Sequence, residues 1–290
     1  MNPTQKIEIS AYLITFNEEA HIEEVLASLS GADEIVLVDS GSTDKTLAIA
    51  AAYGARIIHQ PWLGFARQKA FAMAQCQHEW VINLDGDEVL PPNAIESIKQ
   101  AISANPNNCF SMRRDDHFME GSMHRGRMKY FRKVYPKSAS KWRETELVHE
   151  HIDIAVPVKR LPLIIKHYGH DSTEIIVRKK NSYSSLKAQQ RADAGRSFSA
   201  ARMIFIYPIM FLKFYFARRL CFCGWRGFIK ANIEAGYFFL TEAKLFEKEF
   251  KEIPHSKKEQ HSRVLISNLL VLLHQRRRFF HKDFRKPSPL

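Results

Sequence analysis

The sequence has few cysteines and no segment typical of secretion. Its 290 residues include four cysteines, too few to build a disulfide framework in a chain of this length. Cys221 and Cys223 also lack the two-residue gap of a zinc or redox pair. Residues 1–8 contain no basic segment followed by an apolar core, so we expect no signal peptide. We therefore expect the protein to work in the reducing cytoplasm.

Long apolar runs are lacking as well. A helix needs about 18–20 apolar residues to span a bilayer. The longest run here, Met203 to Leu212, contains Pro208 and is followed by Lys213. We expect a protein that does not cross a membrane, although it can lie on one.

Two glycine-rich phosphate-binding motifs are missing. No G-x-G-x-x-G follows the first predicted strand, which disfavours a dinucleotide-binding fold. The stretch from Gly41 to Thr46 has the wrong spacing for a P-loop. A nucleotide site in this chain would therefore be built from other residues.

Acidic residues are scarce in the second half of the chain. From Arg178 to the C-terminus there are 24 Lys and Arg against 8 Asp and Glu, whereas the preceding part has 19 against 23. The whole chain carries a formal charge of +12. A near-neutral part followed by a basic part predicts two roles, chemistry first and docking to an anionic partner second.

Strands and helices alternate through the first hundred residues, which predicts an α/β fold with a parallel, doubly wound sheet. The nearly all-apolar strands indicate a sheet that is covered on both faces. The predicted strands are Ile9 to Phe16, Glu34 to Val38, Ala55 to His59 and Glu79 to Leu84. The predicted helices are Glu18 to Leu29 with Asn17 as N-cap, Lys45 to Tyr53, Gly64 to Cys76, and one that starts at Pro91-Pro92.

Polar residues follow three of these strands. They occupy 15–18, 39–44 and 85–87, and parallel strands bring such ends to one edge, where open α/β folds bind their ligands. Asp85 and Asp87 flank Gly86, which we expect to let the chain turn sharply. Two carboxylates in this arrangement suit a hard divalent cation, Mg²⁺ or Mn²⁺, that is shared with phosphate oxygens.

The chain resembles the family 2 glycosyltransferases with the GT-A fold, and more closely the bacterial lipopolysaccharide core β-1,4-glucosyltransferases. The motifs that carry the resemblance are Leu13-Ile14-Thr15-Phe16-Asn17-Glu18-Glu19, Val38-Asp39-Ser40-Gly41-Ser42-Thr43-Asp44, Pro61-Trp62-Leu63-Gly64-Phe65 and Leu84-Asp85-Gly86-Asp87-Glu88. The resemblance implies a Rossmann-like, mostly parallel sheet with helices on both faces. It also implies a catalytic domain over residues 1–175, with a nucleotide-sugar half over about 7–105 and an acceptor half over about 106–175.

The resemblance also implies roles for individual residues. The donor-binding residues would be Thr15, Asn17, Glu18, Asp39, Ser40, Gly41, Lys69 and Asp85. Lys69 would neutralise phosphate charge. Asp85 and Asp87 would face the metal and the diphosphate, and His167 would complete the metal site. Glu150, in a His-Glu pair, would be the catalytic base, with Glu144, Glu146 and Asp153 as the next candidates.

Two basic and aromatic regions lie outside these motifs. Residues 107–137 interleave arginines with aromatics and glycines, which fits an acceptor-binding flap for an anionic acceptor, or a solvated loop. Residues 176–290 predict a helical, basic, membrane-associating extension. Within it, Arg202 to Arg219 fits a helix at a bilayer interface, or one that buries its aromatics internally. A second apolar face, at Leu265 to Leu273, precedes Arg276-Arg277-Arg278.

We therefore predict an inverting, metal-dependent transferase that moves a hexose, glucose from UDP-glucose, onto a lipid-linked saccharide, the lipopolysaccharide inner core. It would act on the inner face of the inner membrane, a peripheral site with an anionic surface, and we expect no nucleic-acid partner. Two alternatives remain open at this point. Asp85 and Asp87 also fit the nucleophile loop of a haloacid-dehalogenase-like phosphatase, and the basic tail fits a non-enzymatic membrane- or nucleic-acid-docking protein.

Overall fold

A computed structural model describes residues 6–143, 151–170 and 172–252. The chain divides into two compact units. The first unit contains Met1–Ile175 and Arg219–Gly227, and the second contains Ile176–Arg218 and Phe228–Leu290.

The first unit is built on a nine-stranded mixed sheet. The strands of the described residues are β1 (Ile9–Thr15), β2 (Glu34–Asp39), β3 (Arg56–His59), β4 (Trp80–Asp85), β5 (Glu88–Val89), β6 (Cys109–Phe118), β7 (Gly121–Ser122), β8 (Lys129–Pro136), β9 (Ser140–Trp142), β10 (Ile152–Ile154) and β11 (Val158–His170). The order in the large sheet is β3-β2-β1-β4-β8-β6-β11-β5, with β7 paired to β6. β9 and β10 form a separate two-stranded sheet.

Helices cover both faces of this sheet. They are α1 (Ile22–Ser28), α2 (Thr46–Ala52), α3 (Phe65–Gln75) and α4 (Ala94–Ala104). Apolar side chains of α1, α2 and α4 pack with one face of the central strands, and those of α3 pack with the other face together with the small sheet. The strands are almost wholly buried because both faces are covered. The predicted α/β class, a mostly parallel sheet between helices, is confirmed.

The direction of the strands decides which residues share an edge. β1 pairs in parallel with β2 and β4, and β2 with β3. β8 runs antiparallel to β4 and β6, so β6 points the same way as β4, and β11 is parallel to β6. The carboxyl ends of β1, β2, β4, β6 and β11 therefore meet at one edge of the sheet, together with the start of β8.

Most of residues 107–137 form strands of the large sheet, which corrects the prediction of a flap or loop. β6 and β8 are among the longer strands of the sheet and pair with each other from Phe110 to Arg114. The apolar residues that alternate along both strands are buried in the core, as in Phe110, Met112 and Val134. Arg113, Arg114 and Arg132 lie on these strands, whereas Arg125 and Arg127 lie in the connection between β7 and β8.

Two helices begin later than predicted. α1 begins at Ile22, not at Glu18, and Asn17 is not its N-cap because Asn17 takes a left-handed conformation with φ +54°. The intervening residues form a turn in which the backbone N–H groups of His21 and Ile22 donate to the Glu18 carbonyl. α4 begins at Ala94 after Asn93, two residues beyond the proline pair.

The second unit is helical, as predicted for the C-terminal region. Its helical segments are α5 (Thr173–Asp193), α6 (Ala200–Leu212), a π-helical turn (Lys213–Ala217) and α7 (Gly224–Glu252). Glu242 of α7 is buried and pairs with Arg191 of α5 and Arg202 of α6. These ion pairs join all three helices.

One apolar helical stretch in this unit is longer than predicted. Among the described residues, Ala200–Ala217 is an 18-residue helical stretch that is long and apolar enough, by length and composition, to cross a membrane. Pro208 lies inside it without ending the helix, so the run was underestimated from the sequence. Only 6% of the stretch is buried in the protein. The predicted apolar face from Leu265 to Leu273 and Arg276-Arg277-Arg278 lie outside the described residues.

Candidate active site

Asp39 organises the loop after β2. Its carboxylate is buried, and Oδ2 accepts hydrogen bonds from the backbone N–H groups of Gly41 (2.7 Å) and Ser42 (2.9 Å). The Ser42 hydroxyl donates to Oδ1. Gly41 has φ +106°, which a residue with a side chain adopts only with strain. The carboxylate thus shapes a tight polar loop at the carboxyl edge, and its predicted contact with a nucleoside stays a prediction.

The loop after β1 is tied to this loop. The Asn17 backbone N–H donates to the Ser42 hydroxyl (2.9 Å), and the Asn17 side-chain oxygen accepts from the Thr43 N–H (2.8 Å). The Glu18 N–H donates to the Thr46 hydroxyl (2.8 Å). Thr15 stands beside Asp39 in the strand register. The residues after β1 and β2 that were predicted to bind the sugar donor therefore lie next to each other.

Gln68 supports the same loop and was not identified from the sequence. It is fully buried on α3, and its amide nitrogen donates to the Ser40 hydroxyl (3.1 Å) and to the Gln60 carbonyl (3.0 Å). Its amide oxygen accepts from the Leu63 N–H (3.2 Å). Gln68 therefore fixes Ser40 against the segment before α3.

Asp85 is paired with Lys69 at the end of β4. The ammonium of Lys69, almost fully buried on α3, lies 2.7 Å from Asp85 Oδ1. Burial alone would raise the pKa of Asp85, but the positive charges of Lys69, Lys133 and Arg114 outweigh burial and hold the pKa below its usual range. Asp85 is therefore ionised at neutral pH. The predicted contact of Lys69 with donor phosphate stays a prediction, and here Lys69 pairs with Asp85.

Gly86 lies in a turn between β4 and β5, as predicted, and its lack of a side chain also provides space. Its φ is not positive, so its backbone does not require glycine. A Cβ at this position would lie 2.8 Å from Cγ of Glu18. The glycine between the two aspartates therefore allows the Glu18 side chain to lie against the Asp-x-Asp segment.

Asp87 and His167 meet at the same edge. Asp87 Oδ2 lies 3.5 Å from His167 Nε2, and the Tyr168 backbone N–H donates to the Asp87 carbonyl (2.9 Å). His167 Nδ1 is 2.8 Å from Asp116 Oδ1 on β6. A carboxylate oxygen facing an imidazole nitrogen whose other nitrogen is held by a second carboxylate is a typical setting for a metal ligand.

These residues fit a divalent cation that is completed by the substrate. Among residues 6–143, 151–170 and 172–252 there is no group of three or more His, Cys, Asp or Glu side chains able to hold a metal by themselves. A cation at Asp87 and His167 would therefore take its remaining ligands elsewhere, and diphosphate oxygens are suitable donors. Asp85 lies two residues away but is engaged by Lys69.

A buried charge cluster lies behind the two aspartates. Glu88 is fully buried; its carboxylate pairs with Lys133 of β8 and, at 3.1 Å, with Arg114 of β6. It also accepts a hydrogen bond from the Asp85 backbone N–H (3.1 Å). Burial favours a raised pKa for Glu88, but Lys133 and Arg114 overcome this effect, so the pKa is lowered. The cluster therefore closes the turn that presents Asp85 and Asp87.

The predicted base lies outside the described residues. This holds for Glu150 and for two of the next candidates, Glu144 and Glu146. Asp153 is described, and it is exposed with Arg143 on both of its oxygens, each at 2.8 Å. The Arg143 guanidinium lowers the pKa of Asp153, which weakens Asp153 as a general base near neutral pH.

Two of the residues at the site gave weak signals in the sequence. Glu88 follows the Asp-x-Asp directly but carried no expected role. Asp116 lies two residues before the end of β6, and it could have been placed at the edge that holds Asp87 had residues 107–137 been recognised as strands. Gln68 gave no signal, because a glutamine on a helix is ordinarily exposed.

The chain matches the model of glycosyl transferase family 2 over residues 10–160. It is 33% identical over 257 residues to the lipopolysaccharide core biosynthesis glycosyltransferase LpsC of Rhizobium meliloti (strain 1021), covering 84% of this chain and 93% of LpsC. It is 32% identical over 266 residues to a glycosyltransferase of Rickettsia typhi (strain ATCC VR-144 / Wilmington), covering 84% of this chain and 88% of the relative.

A solved structure gives only a partial overlap. The crystal structure of S. aureus TarS 1-349 in complex with UDP-GlcNAc is 24% identical, with a TM-score of 0.36, and covers 38% of this chain and 35% of TarS. The family match and the two relatives exclude the phosphatase and the purely non-enzymatic docking protein. The chain belongs to glycosyl transferase family 2 and is a glycosyltransferase.

Proposed function

We propose that the protein is an inverting, metal-dependent hexosyltransferase that moves glucose from UDP-glucose onto a lipopolysaccharide core or related lipid-linked acceptor. The observation that carries the proposal is the meeting of Asp87 and His167, 3.5 Å apart, at the edge that also holds the Asp39 loop. The similarity to LpsC, a lipopolysaccharide core biosynthesis glycosyltransferase, supports the choice of acceptor.

The two polar loops after β1 and β2 would receive the nucleoside. Asn17 and Ser42 already hold these loops together through hydrogen bonds. Carboxylates at such strand ends accept hydrogen bonds from a base or ribose. Asp39, Thr15 and Ser40 would make these contacts, and Thr15 lies beside Asp39 in the strand register.

Asp87, His167 and Asp85 would hold the divalent cation and the diphosphate. When bound, Mg²⁺ or Mn²⁺ would neutralise charge that develops on the leaving diphosphate. Lys69 keeps Asp85 ionised in the present structure, and its ammonium would also contact a phosphate oxygen of the donor.

Glu150 would take the proton from the acceptor hydroxyl as that oxygen attacks the anomeric carbon. The assignment comes from the family resemblance of the His149-Glu150 pair. Replacing Glu150 by Gln keeps the shape and removes the basicity, so we expect kcat to fall by roughly 10²–10⁴-fold. UDP-glucose affinity should stay near that of the wild type. Retention of most of kcat would show that another group is the base.

An anionic acceptor would fit basic and aromatic residues of β8 and β11. Tyr130, at the start of β8, is exposed, and the Arg160 guanidinium lies 4.7 Å from the centre of its ring. Arginine and an exposed aromatic ring together suit a phosphorylated saccharide, since the ring stacks on sugar and the guanidinium grips phosphate.

The second unit would hold the enzyme at an anionic membrane surface. Apolar side chains of the Ala200–Ala217 stretch are exposed to solvent, namely Ile204, Phe205, Ile209, Leu212 and Phe216. Arg202 and Lys213 lie within the stretch and Arg218 follows it, as in helices that lie in a bilayer interface. The proposed location is peripheral, on the inner face of the inner membrane. An alkaline carbonate wash should release the protein from membranes, whereas a spanning helix would resist it.

Incubation with a panel of UDP-sugars tests the proposed donor. Metal-dependent hydrolysis or transfer should be fastest with UDP-glucose and should need Mg²⁺ or Mn²⁺. Equal rates with and without a chelator would overturn the metal dependence. A clear preference for another nucleotide-sugar would overturn the choice of glucose while leaving the transferase reaction in place.

A further inference from the structure

A continuous chain of charged contacts leads from the core of the first unit to His167. Lys133 pairs with Glu88, and Glu88 pairs with Arg114 at 3.1 Å. Arg114 Nε lies 2.9 Å from Asp116 Oδ1, and the same oxygen lies 2.8 Å from His167 Nδ1. These contacts continue to Asp87 across the 3.5 Å gap at His167 Nε2.

The strand register places Asp116, His167 and Glu88 next to one another in the sheet. His167 of β11 stands opposite Asp116 of β6 in one pairing and opposite Glu88 of β5 in the other. The β6–β11 register shifts immediately after His167. Such irregularities re-aim side chains at the end of a ladder. The position of the imidazole is therefore set by three adjacent strands.

Asp116 decides which nitrogen of His167 carries the proton. An ionised carboxylate only accepts hydrogen bonds, so His167 Nδ1 must be the donor in this contact. A neutral imidazole with its proton on Nδ1 has its lone pair on Nε2. Nε2 is the nitrogen that faces Asp87.

Gly169 leaves room for the imidazole in this orientation. A Cβ at Gly169 would lie 2.2 Å from His167 Cε1 and 2.7 Å from Nε2. Any side chain there would push the ring away from its place between Asp116 and Asp87. The absence of a side chain at Gly169 is thus a second condition for this orientation of the ring.

We propose that Arg114 and Asp116 are positioning residues that hold the His167 imidazole with the Nε2 lone pair toward Asp87, ready to bind the divalent cation of the donor complex. Arg114 keeps Asp116 in place through its fork, since one guanidinium reaches both Glu88 and Asp116. The buried Glu88 holds the Arg114 guanidinium in place. Gly169 provides the space that the ring occupies. The inference rests on the metal site of the proposed function.

Mn²⁺ titration of the full-length protein in the presence of UDP tests the role of Asp116. Asp116→Asn keeps the shape, but its amide can donate as well as accept, so the proton position on His167 is no longer fixed. We expect Mn²⁺ affinity to fall by roughly 10–100-fold, as for other outer-shell partners of metal-binding histidines. UDP affinity without metal should be unchanged. Gly169→Ala should show the same pattern by displacing the ring, and Arg114→Lys a smaller loss.

Asp33→Asn is the matched control. Asp33 is also a carboxylate held by two cations, Lys6 at 3.0 Å and Lys99 at 2.7 Å, but it precedes β2 and so lies at the opposite end of the sheet. Its loss should lower thermal stability without changing Mn²⁺ affinity. A decrease in Mn²⁺ affinity that follows stability in all variants would show a merely structural role and overturn the proposal.

The tautomer of His167 gives a readout that needs neither metal nor turnover. Two-bond ¹H–¹⁵N spectra of histidine-labelled protein, with His167 assigned by His167→Gln, should show the proton on Nδ1 in the wild type. Asp116→Asn should lose that preference. An unchanged tautomer together with unchanged Mn²⁺ affinity would overturn the positioning role. Failure of the wild type to bind Mn²⁺ with UDP would instead overturn the metal site, and the two failures are read from different signals.

Discussion

At the carboxyl edge of the sheet, charged side chains are buried in pairs, whereas along α6 and the turn after it apolar side chains are exposed. Glu88 is 0% exposed and is held by Lys133 and Arg114. Leu212, by contrast, is 54% exposed at the end of α6. Each arrangement is unfavourable in a protein that only has to fold. The first is suited to chemistry on a charged donor, and the second to contact with a lipid surface.

Breaking a buried pair should have the largest effect on stability. Lys133→Met leaves Glu88 buried with Arg114 as its remaining partner, and we expect a loss of about 3 kcal/mol, the lower part of the range for such changes. The comparison variant is Lys6→Met, which removes the ion pair of a 74% exposed lysine with Asp33 and should cost much less, because water screens exposed ion pairs. Urea unfolding measures both. Equal losses would contradict the role of burial.

Removing one carboxylate of the Asp-x-Asp should abolish most of the activity. Asp87→Asn should leave the fold intact, whereas Asp85→Asn also unpairs the buried Lys69 and should lower stability. We expect Asp87→Asn and Asp85→Asn each to lose on the order of 10²-fold or more in kcat/KM, as when an electrostatic stabiliser is removed. Circular dichroism and thermal unfolding serve as the fold control. Full activity in both variants, with unchanged metal dependence, would show that the site lies elsewhere.

Removing apolar surface from α6 should weaken membrane binding without affecting donor binding. Ile209→Ser with Leu212→Ser removes two exposed side chains, and we expect about a tenfold or greater loss in partition to anionic vesicles. Val158→Ser is the control, because Val158 is exposed to a similar degree at the start of β11 in the first unit. Flotation with and without anionic lipid measures the difference. Equal flotation of the double variant and the control would mean that α6 does not touch lipid.

The smallest expected effect is a difference in reactivity among the four cysteines, and this difference can be measured for each cysteine separately. Burial raises the pKa of the Cys76 thiol to about 12 and raises that of Cys109. Cys221 and Cys223 are partly exposed. Because the thiolate is the reactive form, iodoacetamide at pH 8 should modify Cys221 and Cys223 first. Early modification of Cys76 in the folded protein would contradict its burial.

The parallel half of the sheet was predictable because its signals are local. Nearly all-apolar segments such as Glu34 to Val38 alternate with helical spacing, and polar residues follow each strand. The sequence alone therefore places Asp39, Asp85 and Asp87 at one edge of the sheet. The register of β1 with β2 and β4 confirms that placement.

The antiparallel half could not be predicted because its signals are long-range. β6 and β8 carry arginines and aromatics at positions that look like a loop, and only their pairing with β4 and β11 makes them strands. The contact between Asp116 and His167 joins residues 51 positions apart. Likewise, the Glu18 side chain lies where a side chain at position 86 would begin, and no local turn rule reveals this contact.

Calorimetric titration with UDP, in the presence and absence of Mn²⁺, tests the central claim most directly. The wild type should bind UDP at least about tenfold more tightly with Mn²⁺, because diphosphate oxygens complete the coordination begun by Asp87 and His167. Asp87→Asn and His167→Gln should lose that difference while still binding UDP through the loops after β1 and β2. Equal UDP affinity with and without Mn²⁺ in the wild type would contradict the metal site.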